Sequence, residues 1–164
     1  MKTTETMDIR GFLTMELHDR EGAEIRRITA KNSIVLSGHS LIANMFVGIK
    51  TDPVSHIAVG TGTDAVDPSD IKLKNEIFRK AINPVDATVD LTITDDNRRK
   101  VTVKTELKSA EGNGELTEAA LFSVNPADPN PALMNNGVMY NRVVFPKVTK
   151  TTDFTLTLIW EIIF

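Results

Sequence analysis

At the end of the chain, every second residue is apolar. Phe154, Leu156, Leu158, Trp160, Ile162 and Phe164 alternate with Thr155, Thr157, Ile159, Glu161 and Ile163. A period of two is strand geometry, because successive side chains point to opposite faces. The first set is wholly apolar and belongs in a core, with Trp160 inside it. The second set starts polar and turns apolar, which makes Ile159 and Ile163 candidate contact residues. They meet either another subunit or a covering segment of the same chain, the helix or the N-terminal hairpin described below.

The same period recurs upstream. Val101, Val103, Thr105 and Leu107 alternate with Thr102, Lys104 and Glu106, a strand with one wet face. Ala87, Val89, Leu91 and Ile93 alternate with polar residues before it, and Asp95-Asp96-Asn97 supplies turn chemistry. Residues 86–108 therefore read as a hairpin. Segments 12–18 and 23–30 flank Asp19-Arg20-Glu21-Gly22 and read as a second hairpin, with Gly22 free to take positive φ. Segments 55–60, 75–83, 115–124 and 138–145 complete about nine strands. One stretch departs from the pattern. Leu41, Ile42, Met45 and Phe46 recur at helical spacing, with Ser37 placed as N-cap and Gly48 at the expected end. The expected fold is a mainly β, single antiparallel β-sandwich over residues 1–164, with one short helix at about 37–48.

Two connections are long. Residues 61–71 carry Asp64, Asp67 and Asp70, and residues 125–136 carry Asp128, Asn130 and three prolines, Pro126, Pro129 and Pro131. Loops of that length on a small domain often contact partners, so Asp64, Asp67, Asp128 and Asn130 are candidate binding-loop residues.

Composition narrows the chemistry. With 164 residues the chain can bury a core unaided. It has no cysteine, which removes disulfides, thiolate metal sites and Cys nucleophiles. The net charge of −3 and the lack of a basic stripe with interleaved aromatics argue against a nucleic-acid partner. The N-terminal residues, with Lys2, Glu5, Asp8 and Arg10, lack the apolar run of a signal peptide, and no stretch is long and apolar enough to span a bilayer. No membrane partner is expected.

Catalytic patterns are incomplete. Gly60-Thr61-Gly62-Thr63 lacks the Gly-Lys-Ser/Thr that a phosphate loop requires, and acidic residues follow it. It reads as a glycine-shaped strand exit. His18, His39 and His56 have no zinc spacing, although such residues can converge at a symmetry axis. The runs Asp64/Asp67/Asp70 and Asp95/Asp96/Asn97 offer oxygens to calcium but do not follow the EF-hand order, and read as solvated turns. Glu76, Glu115 and Glu118 are the carboxylates available for glycoside cleavage, but one Trp and one Tyr make a poor sugar-stacking groove. No G-x-S-x-G elbow is present. The expectation is a non-enzymatic protein with no cofactor and no metal.

Three segments in order carry a resemblance: Ala58-Val59-Gly60-Thr61-Gly62-Thr63, Glu118-Ala119-Ala120-Leu121-Phe122, and Arg142-Val143-Val144-Phe145-Pro146-Lys147-Val148-Thr149-Lys150. With the strand–helix start at Lys31–Gly48, the pattern resembles accessory virion structural proteins of bacteriophages, described as tail-associated or tail-fibre-like. It covers residues 31–164 and leaves the N-terminal hairpin, 1–30, outside. The resemblance implies a multicopy part of the tail, collar, baseplate or capsid surface, made in the bacterial host cytoplasm. Its partners would be its own copies, as a trimer or hexamer, and other virion proteins. The alternative it leaves open is a receptor- or glycan-binding module of a tail fibre.

Overall fold

The structure is a computed structural model that describes residues 8–125, 127–128, 130–131 and 133–164. Pro126 and Pro129, which the sequence places as stiffeners of the second long loop, and the polar start with Lys2 and Glu5 lie outside the described residues.

Ten strands and one helix follow in the order β1 (Arg10–His18), β2 (Glu24–Lys31), β3 (Ser33–Ile34), α1 (Leu36–Phe46), β4 (Val54–Gly60), β5 (Glu76–Ala81), β6 (Leu91–Ile93), β7 (Arg99–Leu107), β8 (Gly114–Ser123), β9 (Val138–Lys150) and β10 (Thr155–Ile163). They form two antiparallel five-stranded sheets in a sandwich-like packing. Sheet A has the order β2-β1-β10-β7-β6, and sheet B has the order β3-β9-β8-β4-β5. The mainly β, antiparallel, one-helix expectation therefore holds.

The inner faces supply the shared core. Leu13, Met15 and Leu17 of β1 and Leu156, Leu158 and Trp160 of β10 face Ile57, Leu121, Val143 and Phe145 of sheet B. Trp160 is fully buried, and its indole Nε1–H donates to Asn32 Oδ1 at 3.0 Å. Asn32 thus satisfies the one polar atom that a buried tryptophan carries.

Several expectations are corrected. The strand count is ten because the two-residue β3 pairs with Asn141 and Arg142 of β9. The first arm of the 86–108 hairpin shrinks to Leu91–Ile93. Asp86 accepts from the Thr88 backbone and hydroxyl, which folds residues 87–90 into a turn. The N-terminal hairpin is part of sheet A, where β1 pairs along its whole length with β10. Ser37 is not the N-cap. Val35 takes that position without a side-chain bond, and Ser37 Oγ donates to the Met139 carbonyl instead. Gly48 does end the helix region with φ +74°. The strand expected at 138–145 continues to Lys150. It passes Pro146 at an irregularity where β9 has more residues than β8, a place that tolerates a missing N–H.

Helix α1 lies directly on β9. A Cβ on Gly38 would sit 1.9 Å from the Tyr140 carbonyl oxygen, so only glycine permits this approach.

Candidate functional site

The outer face of sheet B is not open to water. The connection from Thr61 to Asn75 folds across it and builds a second small core, in which Val66 and Leu73 pack with Ala58, Ala120, Phe122 and Met139. Within this layer lies a buried ionic network, and all three segments of the sequence resemblance contribute to it.

Glu118 of β8 is fully buried. Its carboxylate accepts the backbone N–H groups of Gly62 (2.9 Å), Lys74 (3.1 Å) and Asn75 (2.8 Å). It also pairs with Arg142 of β9 at 2.9 Å. Arg142, also fully buried, reaches Asp70 at 2.9 Å and donates to the carbonyls of Asp64 (3.0 Å) and Ala65 (3.3 Å). Asp70 takes a second cation, Lys74 Nζ, at 2.7 Å. Burial pushes the Asp70 carboxyl up, but the bonds from Lys74, the Asp67 amide and Arg142 outweigh it and hold the group below its usual range.

This geometry explains the Gly-Thr-Gly-Thr segment. The Gly62 N–H does hold an anion, and that anion is the protein's own Glu118. A Cβ on Gly62 would lie 2.5 Å from the Glu118 carboxylate. The segment is therefore shaped for close approach to an internal carboxylate.

The acidic run in the loop has the same logic. Asp70 is committed to Arg142 and Lys74. Asp67 accepts from the Ser69 amide (2.8 Å) and hydroxyl, and its carboxyl is held low chiefly by those bonds. Asp64 is exposed and gives only its carbonyl to Arg142. The cation at the centre of this loop is a guanidinium.

Two further buried cations hold loops in a similar way. Arg79 of β5 pairs with buried Glu76, donates to the Asn136 carbonyl at 2.6 Å and lies 4.2 Å from the centre of the Phe122 ring. Glu76 also accepts the Asn135 amide at 3.0 Å, so the pair fixes the end of the second long loop. In that loop Asp128 accepts from the Asn130 amide and from Asn136 Nδ2, both within the same connection. Lys150 of β9 is buried, and its Nζ donates to the Lys108 carbonyl (2.8 Å) and Asn113 Oδ1 (2.9 Å). Burial depresses its pKa, partly offset by the charge of Glu111.

The remaining sequence candidates are dispersed. Glu76 and Glu118 are enclosed by their arginines, while Glu115 is exposed and pairs with Lys147. His18 meets Glu16 and Glu24 across the first hairpin, with their ligand atoms within 4.8 Å of one another. Arg27 bridges both carboxylates at 2.8 Å, so this group already has its cation. Ile159 and Ile163 are half-buried on the outer face of sheet A. Ile159 lies between Thr14 and Lys104, and Ile163 between Arg10 and Lys100.

One end of the sandwich is apolar rather than ionic. A cavity of about 280 Å³ lies between α1 and the sheets, lined by Leu41, Val54 and Ile162 and rimmed by the exposed Met45, Val85 and Phe164. Beside it the end of α1 presents Phe46, 91% exposed, with Val47 and Ile49. Of the apolar residues at helical spacing, Met45 and Phe46 are exposed. Only Leu41 among them is buried, with Ile42 half-buried.

Sequence reasoning missed Arg142, Arg79 and Lys150, since a lone cation in a strand looks like a solvated one. The signal available was Arg142 at the head of an otherwise apolar run, Val143-Val144-Phe145.

Among known protein families, curated proteins and solved structures, none matches the chain.

Proposed function

We propose that this protein is a non-enzymatic structural component of a bacteriophage virion, present in multiple copies that assemble with one another and with neighbouring virion proteins. The observation that carries this reading is where the three resembling segments meet. They join in a buried lock in which Gly62, Glu118 and Arg142 spend their donors and acceptors on the protein's own backbone and one another. A carboxylate that accepts three amides and a guanidinium has no lone pair left for a substrate. The lock holds a long loop on sheet B, a structural use of these charged groups. The large exposed apolar groups at the end of α1 suit a surface that meets protein.

The test is mass spectrometry of particles banded by density from a lysate of the host that produces them. The expected result is this chain at several copies per particle. Its presence in the soluble lysate and absence from the banded particles would overturn the reading.

A further inference from the structure

Lys150 closes β9 with its side chain buried, 1% exposed. A buried ammonium is ordinarily matched by a carboxylate, because an unpaired charge away from water is costly. Here all three donors go to neutral oxygens. Nζ lies 2.8 Å from the Lys108 carbonyl, 3.4 Å from the Ser109 carbonyl and 2.9 Å from Asn113 Oδ1. Glu111, the charge that acts on it, is paired with Lys80 instead. Burial lowers the Lys150 pKa, which raises the share present as neutral amine, a nucleophile. The side chain it touches is an electrophile. Asn113 Cγ is one bond from the oxygen that Nζ contacts, and its nitrogen, Nδ2, is held by the Ser109 carbonyl at 3.0 Å. Strand register keeps the two together, since Gly114, next to Asn113, pairs with Lys150 in the β8–β9 ladder. Asn113 itself is exposed, so a leaving group has a way out.

We propose that Lys150 Nζ and the side-chain amide of Asn113 condense into an intramolecular isopeptide bond that joins the end of β9 to the start of β8. The Nζ lone pair attacks Cγ. The Nζ–Cγ bond forms and the Cγ–Nδ2 bond breaks. The proton given up by the Lys150 ammonium ends on the departing nitrogen, which leaves as an ammonium ion past the exposed side of Asn113. One ammonium is consumed and one released, so the step needs no oxidant, reductant or co-reactant. An amide is a poor electrophile, and fixed contact with the amine supplies the proximity that the reaction requires. The product also removes a buried charge that has only neutral partners. The bond ties together two positions 37 residues apart, with β8, the 125–136 connection and β9 between them. A cross-link of this kind stabilises by restricting the unfolded chain, and a chain without cysteine has no disulfide to do so.

The test is the intact mass of the purified full chain, denatured after incubation at neutral pH, followed by a tryptic map. Wild type should be lighter than its sequence by one ammonia. Trypsin should leave peptide 109–142 joined to peptide 148–164, because a lysine in amide linkage is no longer a cleavage site. Asn113→Ala and Lys150→Arg should each keep the full sequence mass, and wild type should unfold at higher urea than either. Asn113 is exposed, so Asn113→Ala keeps the readout if loss of the buried Lys150 unfolds the chain. A wild type at full sequence mass would overturn the proposal. So would an ammonia loss that persists in Lys150→Arg, the mark of a succinimide between Asn113 and Gly114. A map with Lys150 cleaved normally and Asn113 converted to an acid, which is plain deamidation, would overturn it too. The bond forms whether or not the chain is found in particles, so the two readings fail separately.

Discussion

The two sheets carry similar strands but differ in what lies outside them. Sheet A has water on its outer face. Its central strand β10 therefore alternates between half-buried and buried residues along all nine positions. Sheet B has the 61–75 connection on its outer face, and β8 is buried at eight consecutive positions. Charged groups on sheet A lie at the surface, as Lys100 and Glu161 do. On sheet B several are interior, among them Glu118, Arg142, Arg79 and Glu76, while Glu115 and Lys147 pair at the surface. The same residue types thus act as solubilising groups on one sheet and as loop anchors on the other. The covering layer decides which role they take.

The sharpest way to break this contrast is to remove the central cation. Arg142→Met should cost about 3–5 kcal/mol in urea denaturation, because Glu118 and Asp70 are left buried without their shared partner. Adding Glu118→Leu should not restore the loss, since the amides of Gly62, Lys74 and Asn75 then lose their acceptor. Wild-type stability in Arg142→Met would mean that the 61–75 connection is held by its apolar residues alone.

The same contrast explains what was legible in the sequence. Alternation is visible where one face meets water, so β1, β7 and β10 could be read almost residue by residue, and Trp160 could be placed in the core. On sheet B the alternation is masked, because Ala58, Ala120 and Phe122 face a covering loop and look like the inward residues beside them. The network was illegible for a different reason. Its members are far apart in sequence, with Gly62, Asp70, Glu118 and Arg142 joined only by the pairing of β4, β8 and β9. The helix is legible by its spacing, but the spacing does not tell buried Leu41 from exposed Phe46. Spacing shows that a face is apolar without showing what lies against it.

A smaller effect should appear in the pH dependence of sheet B. His56 is buried on β4, and burial first, then the charge of Arg79, holds its pKa below the ordinary 6.5. The folded state therefore takes up its proton at lower pH than the unfolded chain does. The stability this provides is fully present above 6.5 and is lost as pH falls from there toward the folded-state value. Wild type should lose stability on acidification through this window, and His56→Gln should flatten that slope. Asp70, held below 3.8, contributes its own loss only at more acidic pH, which separates the two. An unchanged slope in His56→Gln would mean that water reaches the imidazole in the folded state.

The smallest effect belongs to sheet A. Lys100 Nζ and the Glu161 carboxylate lie 2.6 Å apart, with side chains 29% and 38% exposed. Water solvates both ions when the pair is broken, so Lys100→Met should change stability by about 0.2–1 kcal/mol, less in high salt. A double-mutant cycle with Glu161→Gln isolates the pair from other losses. The measurement sharpens the comparison because the pair geometry is as good as that of Arg142 and differs mainly in burial. A cost near that of Arg142→Met would show that this face, too, is covered. If the solution mass changed in the same variant, the cover would be another copy seated against Ile159 and Ile163, the half-buried residues beside this pair on the outer face of sheet A.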